Sequence, residues 1–554
     1  MSFLHAPRTF LAVARGEARL ALADAPGVAW RLLAVAGWAF LAILMGLTVG
    51  FAAVALPPMA LLGIIALFVI VLLWVLPEGP TPSDRLMRRV IFVMLAVDLT
   101  IPTYYTYQIQ GLPWISMRRM VTLIVIVLFS IVFSASRQAR KVVSDVIKRN
   151  RAIFFCSFGY LFMASISIIT SINPGVSMSG LSDVVLEWYV PFVAVVFIIR
   201  SEEDIVTLLK LVLSCAIFVS IIGVVDFIFA QHTYMMLMPK SLLESLAANN
   251  PTESFSLSLA FRNGLARAPS VFSNSLSFAE FESLVAPVAV VFVLHGRSFS
   301  ERAFGAVVVV ACLAGVFVSG SRGGYLSLIA ASVTLAPLFV VRCRVSQPQG
   351  MAAPIAGVLG AAGFSLATLA ILFIGRVRGL LTAGGTGAAS DAGRKLQWVM
   401  AWPKILANPI TGYGLGQSGE AVGYRSSPGS ILSVDSFVLT LITETGVPGL
   451  LIYFGMLFVS VFTGARQYVR DQTFGGALSG GLASSLSAYT AYRLFLSQRE
   501  NQTLVYIMIA CVALLSYFYQ LAHERPSVNT ARPSSSEKSK TNQVKARGTI
   551  AAAT

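Results

Sequence analysis

From residue 32 to residue 521 the chain is a succession of apolar runs separated by short polar or glycine-rich breaks. An α-helix needs about 20 apolar residues to cross the roughly 30 Å hydrocarbon core of a bilayer, and inside that core it keeps its backbone hydrogen bonds to itself. The pattern therefore predicts transmembrane helices near 32–53, 57–76, 89–103, 118–134, 152–171, 184–199, 206–229, 271–294, 303–319, 323–341, 352–374, 436–463, 475–496 and 503–521. The third run is short and contains Asp98, and the thirteenth is rich in Gly and Ser, so the expectation is 12 to 14 spans in an all-α, polytopic helical bundle. Its longest interruption is the loop 375–434. Connections of that length are usually functional or disordered, and Trp398 and Trp402 argue for order, because disordered segments are poor in aromatics.

Composition agrees with a membrane protein: 56% of residues are hydrophobic and 12% charged, against about 25% charged in soluble domains. A net charge of +16 raises the question of nucleic acid. The Lys and Arg residues, however, sit in short connections and in the C-terminal tail, the distribution that orients membrane proteins, and no nucleic-acid partner is expected. Residues 1–31 read as a basic cytoplasmic lead-in rather than a cleavable signal peptide. With that end inside, the inner connections collect Arg85, Arg88 and Arg89, then Arg137 to Arg151, Arg297 and Arg302, Arg342 and Arg344, and Arg466 and Arg470. Arg118 and Arg119 fall on the outer end of the fourth span and break the rule. The spans then divide into 32–230, 231–374 and 435–522, followed by a disordered inner tail, 523–554. Segments 231–270, 319–324 and 375–434 share the outer face. The five cysteines form no CxxC pair and no His cluster accompanies them, so neither a disulfide framework nor a metal or other cofactor is expected. No internal repeat suggests a transporter, although Asp98, Asp226, Glu280 and Glu282 within apolar runs are compatible with one.

Three outer-face features carry candidate chemistry. In Ser319-Gly320-Ser321-Arg322-Gly323-Gly324, a very short turn pins Arg322 near a helix start, where a guanidinium and free amides suit a phosphate; a snorkelling interfacial arginine is the plain alternative. Arg267-Ala268-Pro269-Ser270 enters the next span from the same side, followed by Glu280 and Glu282. For Glu280 a structural ion pair is favoured over catalysis, since an unpaired buried charge is costly. The loop itself holds twelve glycines and six basic residues, among them Arg394 and Arg425, against Asp391 and Glu420. It ends in Gly412-Tyr413-Gly414-Leu415-Gly416, either a ligand cradle or, more simply, a tight connection, and then in Asp435-Ser436 and Glu444-Thr445-Gly446.

Taken in order, SGSRGGYL, DAGRKLQWVMAWPKILANPITGYGLG and SVDSFVLTLITETGVPGLLIYFG resemble the O-antigen ligase and polysaccharide polymerase superfamily of bacterial envelope glycosyltransferases, and RAPSVFSNSLSFAEF is similar to its arginine-bearing upstream segment. The resemblance covers roughly residues 265–460. It implies a glycosyltransferase C type of helical membrane fold in the bacterial inner membrane with a periplasmic cavity, which makes 375–434 a periplasmic loop. The substrates it implies are glycans on undecaprenyl pyrophosphate, an acceptor glycan and membrane lipid, with a chain-length regulator as a further partner. Arg267 and Arg322 match the arginines that hold the donor pyrophosphate, with Arg394, Trp398, Tyr413 and Arg425 as further substrate contacts. Catalytic roles fall to Arg322, Asp435 and, as the next candidate base, Glu444. Ligases of the superfamily carry His-Asn where this chain has Asp435-Ser436, which looks more like the polymerases. The leading expectation is thus a metal-independent, inverting polymerase of exopolysaccharide or O-antigen repeat units. The alternatives are a ligase acting on lipid A core and, more distantly, a lipid-linked glycan flippase. Asp435 either takes the acceptor proton or caps the helix expected from Ser436.

Overall fold

A computed structural model of the chain describes residues 83–107, 115–249, 260–262, 264–351, 353–355, 357–358, 386–425 and 432–524. All of them lie in one compact unit, Glu78–Thr554. The expected segments 1–31, 32–53 and 57–76, most of 352–374, the start of the long loop and nearly all of the tail lie outside the described residues.

The order is α1 (Asp84–Thr100), a two-residue strand pair, α2 (Met117–Ala135), α3 (Arg137–Arg149), α4 (Arg151–Ile166) and α5 (Pro174–Asp183). A π-helical turn, Val184–Tyr189, joins α5 to α6 (Val190–Ile198). Then come α7 (Glu202–Phe229), α8 (Thr233–Leu237), α9 (Lys240–Asn249), a hairpin of Ala260–Arg262 with Leu265–Arg267, α10 (Ser275–His295), α11 (Phe299–Ser319) and α12 (Arg322–Ser346). The long loop contributes α13 (Thr386–Ala407) and α14 (Ser418–Val422), and the bundle closes with α15 (Phe437–Arg470), α16 (Phe474–Arg493) and α17 (Gln502–Glu524). The chain is a polytopic helical bundle. Among the described residues eight helices are long and apolar enough to cross a membrane; α1, α4 and α16 coincide with three further runs.

Helix α10 sits at the centre, buried along nearly its whole length. The Gly/Ser-rich run that forms α16 packs against it because small residues let helix backbones approach: a Cβ on Gly481 would lie 2.9 Å from Val291 and 3.3 Å from the Val288 backbone. The two arginines that break the charge rule are held by acids within the bundle. Arg118 lies 3.5 Å from Asp98 and Arg119 lies 2.6 Å from Asp183, so they report local pairing rather than orientation.

Helix α15 is broken at Gly446, where φ is +73° and ψ −179°. The loop 408–416 fills the break. Tyr413 N donates to Thr443 O (2.8 Å), Gly414 N to Glu444 O (3.1 Å) and Val447 N to Pro409 O (2.8 Å), which satisfies the groups that the break releases. Position 446 requires glycine both for its φ and because a Cβ there would sit 2.2 Å from Ile410 O. In the structure GYGLG is a tight connection packed into this break. The long loop is ordered over α13 and α14, where Ala401, Ile405 and Val422 close a small core with Leu439 of α15.

Candidate functional site

Of the residues singled out in the sequence, the Arg322 turn, Asp435 and Glu444 all contact the connector 494–501 between α16 and α17. The polar side chains of this connector bond to α10, to α15 and to the segment around Thr103. Ser497 N donates to Asp435 O (2.7 Å) and Ser497 Oγ lies 3.2 Å from Thr440 Oγ1. Gln498 accepts from Asn274 (3.0 Å) and Ser277 (3.1 Å) at the start of α10. Arg499 Nη2 donates to Glu444 Oε1 (2.9 Å). Glu500 accepts from Thr103 Oγ1 (2.7 Å) and Ser273 N (3.1 Å). Asn501 Nδ2 donates to Ser277 O (2.8 Å) and Glu280 Oε2 (2.9 Å). Sequence reasoning did not single out this stretch; its signal was the polar run Ser497–Asn501 between two spans.

Arg267 ends its hairpin and lies over the turn that delivers Arg322. Its Nε donates to Ser319 O (3.2 Å), and a Cβ on Gly320, whose φ is +60°, would lie 3.4 Å from Arg267 Cγ. Ser321 stands at the N-cap position of α12 without a side-chain capping bond, and Arg322, half-buried, is the first residue of that helix. Tyr492 and Leu496 close over the turn, each 2.8 Å from a Cβ built on Gly323. Two arginines 55 positions apart in sequence are thus gathered at one helix start, a position whose unbonded amides favour anions.

Asp435 is exposed, its amide donating to Gln397 Oε1 of α13 (3.0 Å) and its carbonyl held by Ser497. It does not cap the following helix, contrary to the capping alternative. That helix starts at Phe437, and its cap is Ser436, whose side chain accepts from Leu439 N. The helix starts one residue later than expected and Ser436 takes the geometry preferred for a cap, so the Asp435 carboxylate is left over. Glu444 is buried next to the Gly446 break, with Ser418 Oγ (2.9 Å) and Arg499 both on Oε1. The Glu444 carboxylate holds the Arg499 guanidinium above its already high ordinary pKa.

The other expected contacts are dispersed. Arg394 is half-buried one turn before Gln397, and Trp398 is exposed on the same helix. The Tyr413 hydroxyl donates to Lys404 O (3.0 Å), which with its backbone bond makes it an anchor of the loop. Arg425 is exposed and bridges Leu432. The acids inside apolar runs have local partners. Glu280 lies 3.0 Å from Arg493, both fully buried, as the ion-pair reading expects. Glu282 accepts from Ser220 (2.7 Å), and Asp226 from Thr233 N (2.8 Å) and Ser270 N (3.0 Å).

Residues 284–454 match the family model of the O-antigen ligase. The chain carries an O-antigen ligase superfamily domain. Among curated proteins none matches it. The matched segment runs from the middle of α10 to the middle of α15 and so holds Arg322, Asp435 and Glu444; Arg267 precedes it and the 494–501 connector follows it. The match supports a function of the O-antigen ligase or polymerase type in general, in a chain whose helices fit a multi-pass membrane protein.

Proposed function

We propose that this superfamily member polymerises repeat units of an exopolysaccharide or O-antigen, carried on undecaprenyl pyrophosphate, at the periplasmic face of the bacterial inner membrane. The observation that carries the reading is that Arg267 lies over the Ser319–Ser321 turn just before Arg322, and that this helix start packs on Leu496 of the connector whose next residue, Ser497, holds the Asp435 carbonyl. The two guanidiniums and the α12 amides hold the donor pyrophosphate and neutralise it as it leaves, the preorganised electrostatic stabilisation that a charged leaving group needs. The acceptor hydroxyl oxygen attacks the anomeric carbon from the opposite side and the bond from that carbon to the phosphate oxygen breaks. The proton passes to Asp435, with Glu444 as the next candidate, and the anomeric configuration inverts. This assignment uses no metal ion. A chain-length regulator protein would act on the growing polymer.

The description of the matched family as O-antigen ligase favours a second reading, transfer of the finished glycan to lipid A core. Asp435-Ser436 in place of His-Asn supports polymerisation, because a neutral imidazole is the readier base near pH 7. A flippase is disfavoured, since Glu280, Glu282 and Asp226 are engaged locally rather than set along a path. The test is Arg322→Ala and Arg267→Ala in the producing strain. Each removes one charge-assisted contact, and polymer synthesis should fall on the order of a hundredfold, from about 2 to 4 kcal/mol of lost transition-state stabilisation, with normal membrane insertion. Lysine should rescue poorly because it lacks the bidentate fork. Polymer at the normal level in both alanine variants overturns the assignment, and glycan found on lipid A core rather than as lipid-linked polymer selects the ligase reading.

A further inference from the structure

A cleft of about 330 Å³ opens where α3, the connection from α6 to α7 and the end of α17 meet. That volume lies within the range of small-molecule sites. Val142 of α3, Ile199, and Phe518 and Leu521 of α17 give it apolar walls, and Arg200 and Tyr517 are the polar side chains on them. Arg200 is exposed, its guanidinium 5.6 Å from the Phe197 ring centroid. The acids near it do not neutralise it. Asp204 accepts from the Arg200 backbone amide (3.3 Å) but is paired with Arg88, and Asp84 makes no ion pair with Arg200. Among the described residues neither the Arg200 guanidinium nor the Tyr517 hydroxyl makes a hydrogen bond or ion pair. Arg149, 5.9 Å from the Tyr517 ring centroid, donates to Glu524 (2.6 Å), which balances its charge.

Helix α3 places this cleft at a membrane surface. Its 13 residues reach about 20 Å, too short to cross the hydrocarbon core. Ala139, Val142, Val143, Val146 and Ile147 recur at helical spacing and pack into the bundle, while Lys141 and Lys148 are exposed. A helix so divided lies along the interface, and the basic cluster Arg137 to Arg151 marks the cytoplasmic side.

We propose that this cleft holds an anionic phospholipid of the cytoplasmic leaflet. The inference goes beyond the transfer reading and does not depend on it. A phospholipid presents a phosphate and acyl chains, and the cleft offers a counterpart to each. The Arg200 fork suits phosphate oxygens, the Tyr517 hydroxyl donates to them, and the Val142, Phe518 and Leu521 side chains line the path of an acyl chain. Basic pockets between membrane helices on the cytoplasmic side take such headgroups. Charge decides between occupants. The chain's own segment after Glu524 carries Arg525, Arg532, Lys538, Lys540, Lys545 and Arg547 against Glu537, so it repels Arg200 rather than complementing it.

The test titrates the full-length protein in detergent with phosphatidylglycerol, phosphatidylethanolamine and glycerol 3-phosphate, and counts bound species by native mass spectrometry. The wild type should hold one phosphatidylglycerol on the order of tenfold more tightly than phosphatidylethanolamine, and take up no glycerol 3-phosphate. Arg200→Ala removes the charge-assisted contact from an exposed position and should weaken phosphatidylglycerol binding on the order of tenfold. Tyr517→Phe keeps the ring beside Arg149, loses one neutral hydrogen bond and should weaken binding about threefold. Arg151→Ala, exposed and outside the cleft, should bind as the wild type does. Equal affinity for the two lipids, or unchanged binding in Arg200→Ala, overturns the site. An equal loss in Arg151→Ala reduces the attraction to diffuse surface charge and overturns it as well. Glycerol 3-phosphate bound as tightly as the lipid would make the cleft a site for free phosphate esters and overturn the lipid assignment.

Discussion

The fully buried pair of Arg493 and Glu280 should be worth more to the site than to the bundle, and the two can be separated. Arg493 Nε lies 3.0 Å from Glu280 Oε1 and Nη2 3.3 Å from Oε2. The guanidinium also sits over the Phe437 and Tyr489 rings, 4.5 and 4.7 Å from their centroids. At about 3 Å and an effective dielectric of about 20, the charges attract by on the order of 5 kcal/mol, set against a desolvation cost of similar size. Truncating one partner removes the attraction and leaves the desolvated charge, so Arg493→Met and Glu280→Gln should each cost about 3 to 5 kcal/mol. At roughly 2 °C per kcal/mol for a chain of this size, each single variant should melt roughly 6 to 10 °C lower in detergent, read by intrinsic fluorescence. Glu280→Gln with Arg493→Met together leaves no charge and keeps an acceptor for Asn501, and should recover more than half of either loss. Because Asn501 and Phe437 flank the connector and Asp435, the double variant should still transfer glycan poorly. Additive single losses would show that the two side chains are not coupled and would refute the reasoning.

Asp435→Asn and Asp435→Ala should both abolish polymer with little change in melting temperature, whereas Ser436→Ala should cost about 1 kcal/mol of stability by losing the cap; polymer from Asp435→Asn at the normal level would move the base to Glu444. Burial pushes the His232 imidazole down to about 4, with Asp226 Oδ2 4.0 Å from Nδ1 and the Tyr104 hydroxyl 3.3 Å from Nε2. Since the unfolded chain binds that proton near pH 6.5, stability is complete above this value and falls as pH drops toward 4, by up to about 3 kcal/mol. His232→Gln should flatten that slope, and melting curves that track the wild type from pH 7 to 4 would remove the assignment. Single cysteines at the exposed positions Ser433 and Gln472, in an otherwise cysteine-free chain, should label from opposite sides, with Ser433→Cys reached by an impermeant reagent in spheroplasts; labelling of both from the same side would reject the orientation.

Run length and composition by themselves determined the helices, because a backbone crossing hydrocarbon has no solvent for its polar groups and must form them. Every run expected within the described residues appears as a helix, including the Gly/Ser-rich one, whose weak hydropathy is offset by burial against α10. The arginine turn was legible because its chemistry is contiguous, and an acid in the Glu280 run was legible as one half of an ion pair because burial forbids leaving it alone. Its partner, 213 positions away, was not. Nor was the assignment of the cap to Ser436 rather than Asp435, which depends on a one-residue difference in where the backbone turns helical. The 494–501 connector shows the limit most plainly: alone it is a polar turn between spans, and its meaning lies in bonds to α10, α15 and the segments around Thr103 and Asp435. The Gly446 break was not expected within the continuous run 436–463, because only the approach of residues 408–416 supplies the carbonyl and amide partners that make a broken helix stable. Apolar pattern is a property of each segment and survives in the sequence, whereas hydrogen-bond partners across the bundle are chosen by packing, which only the tertiary structure decides.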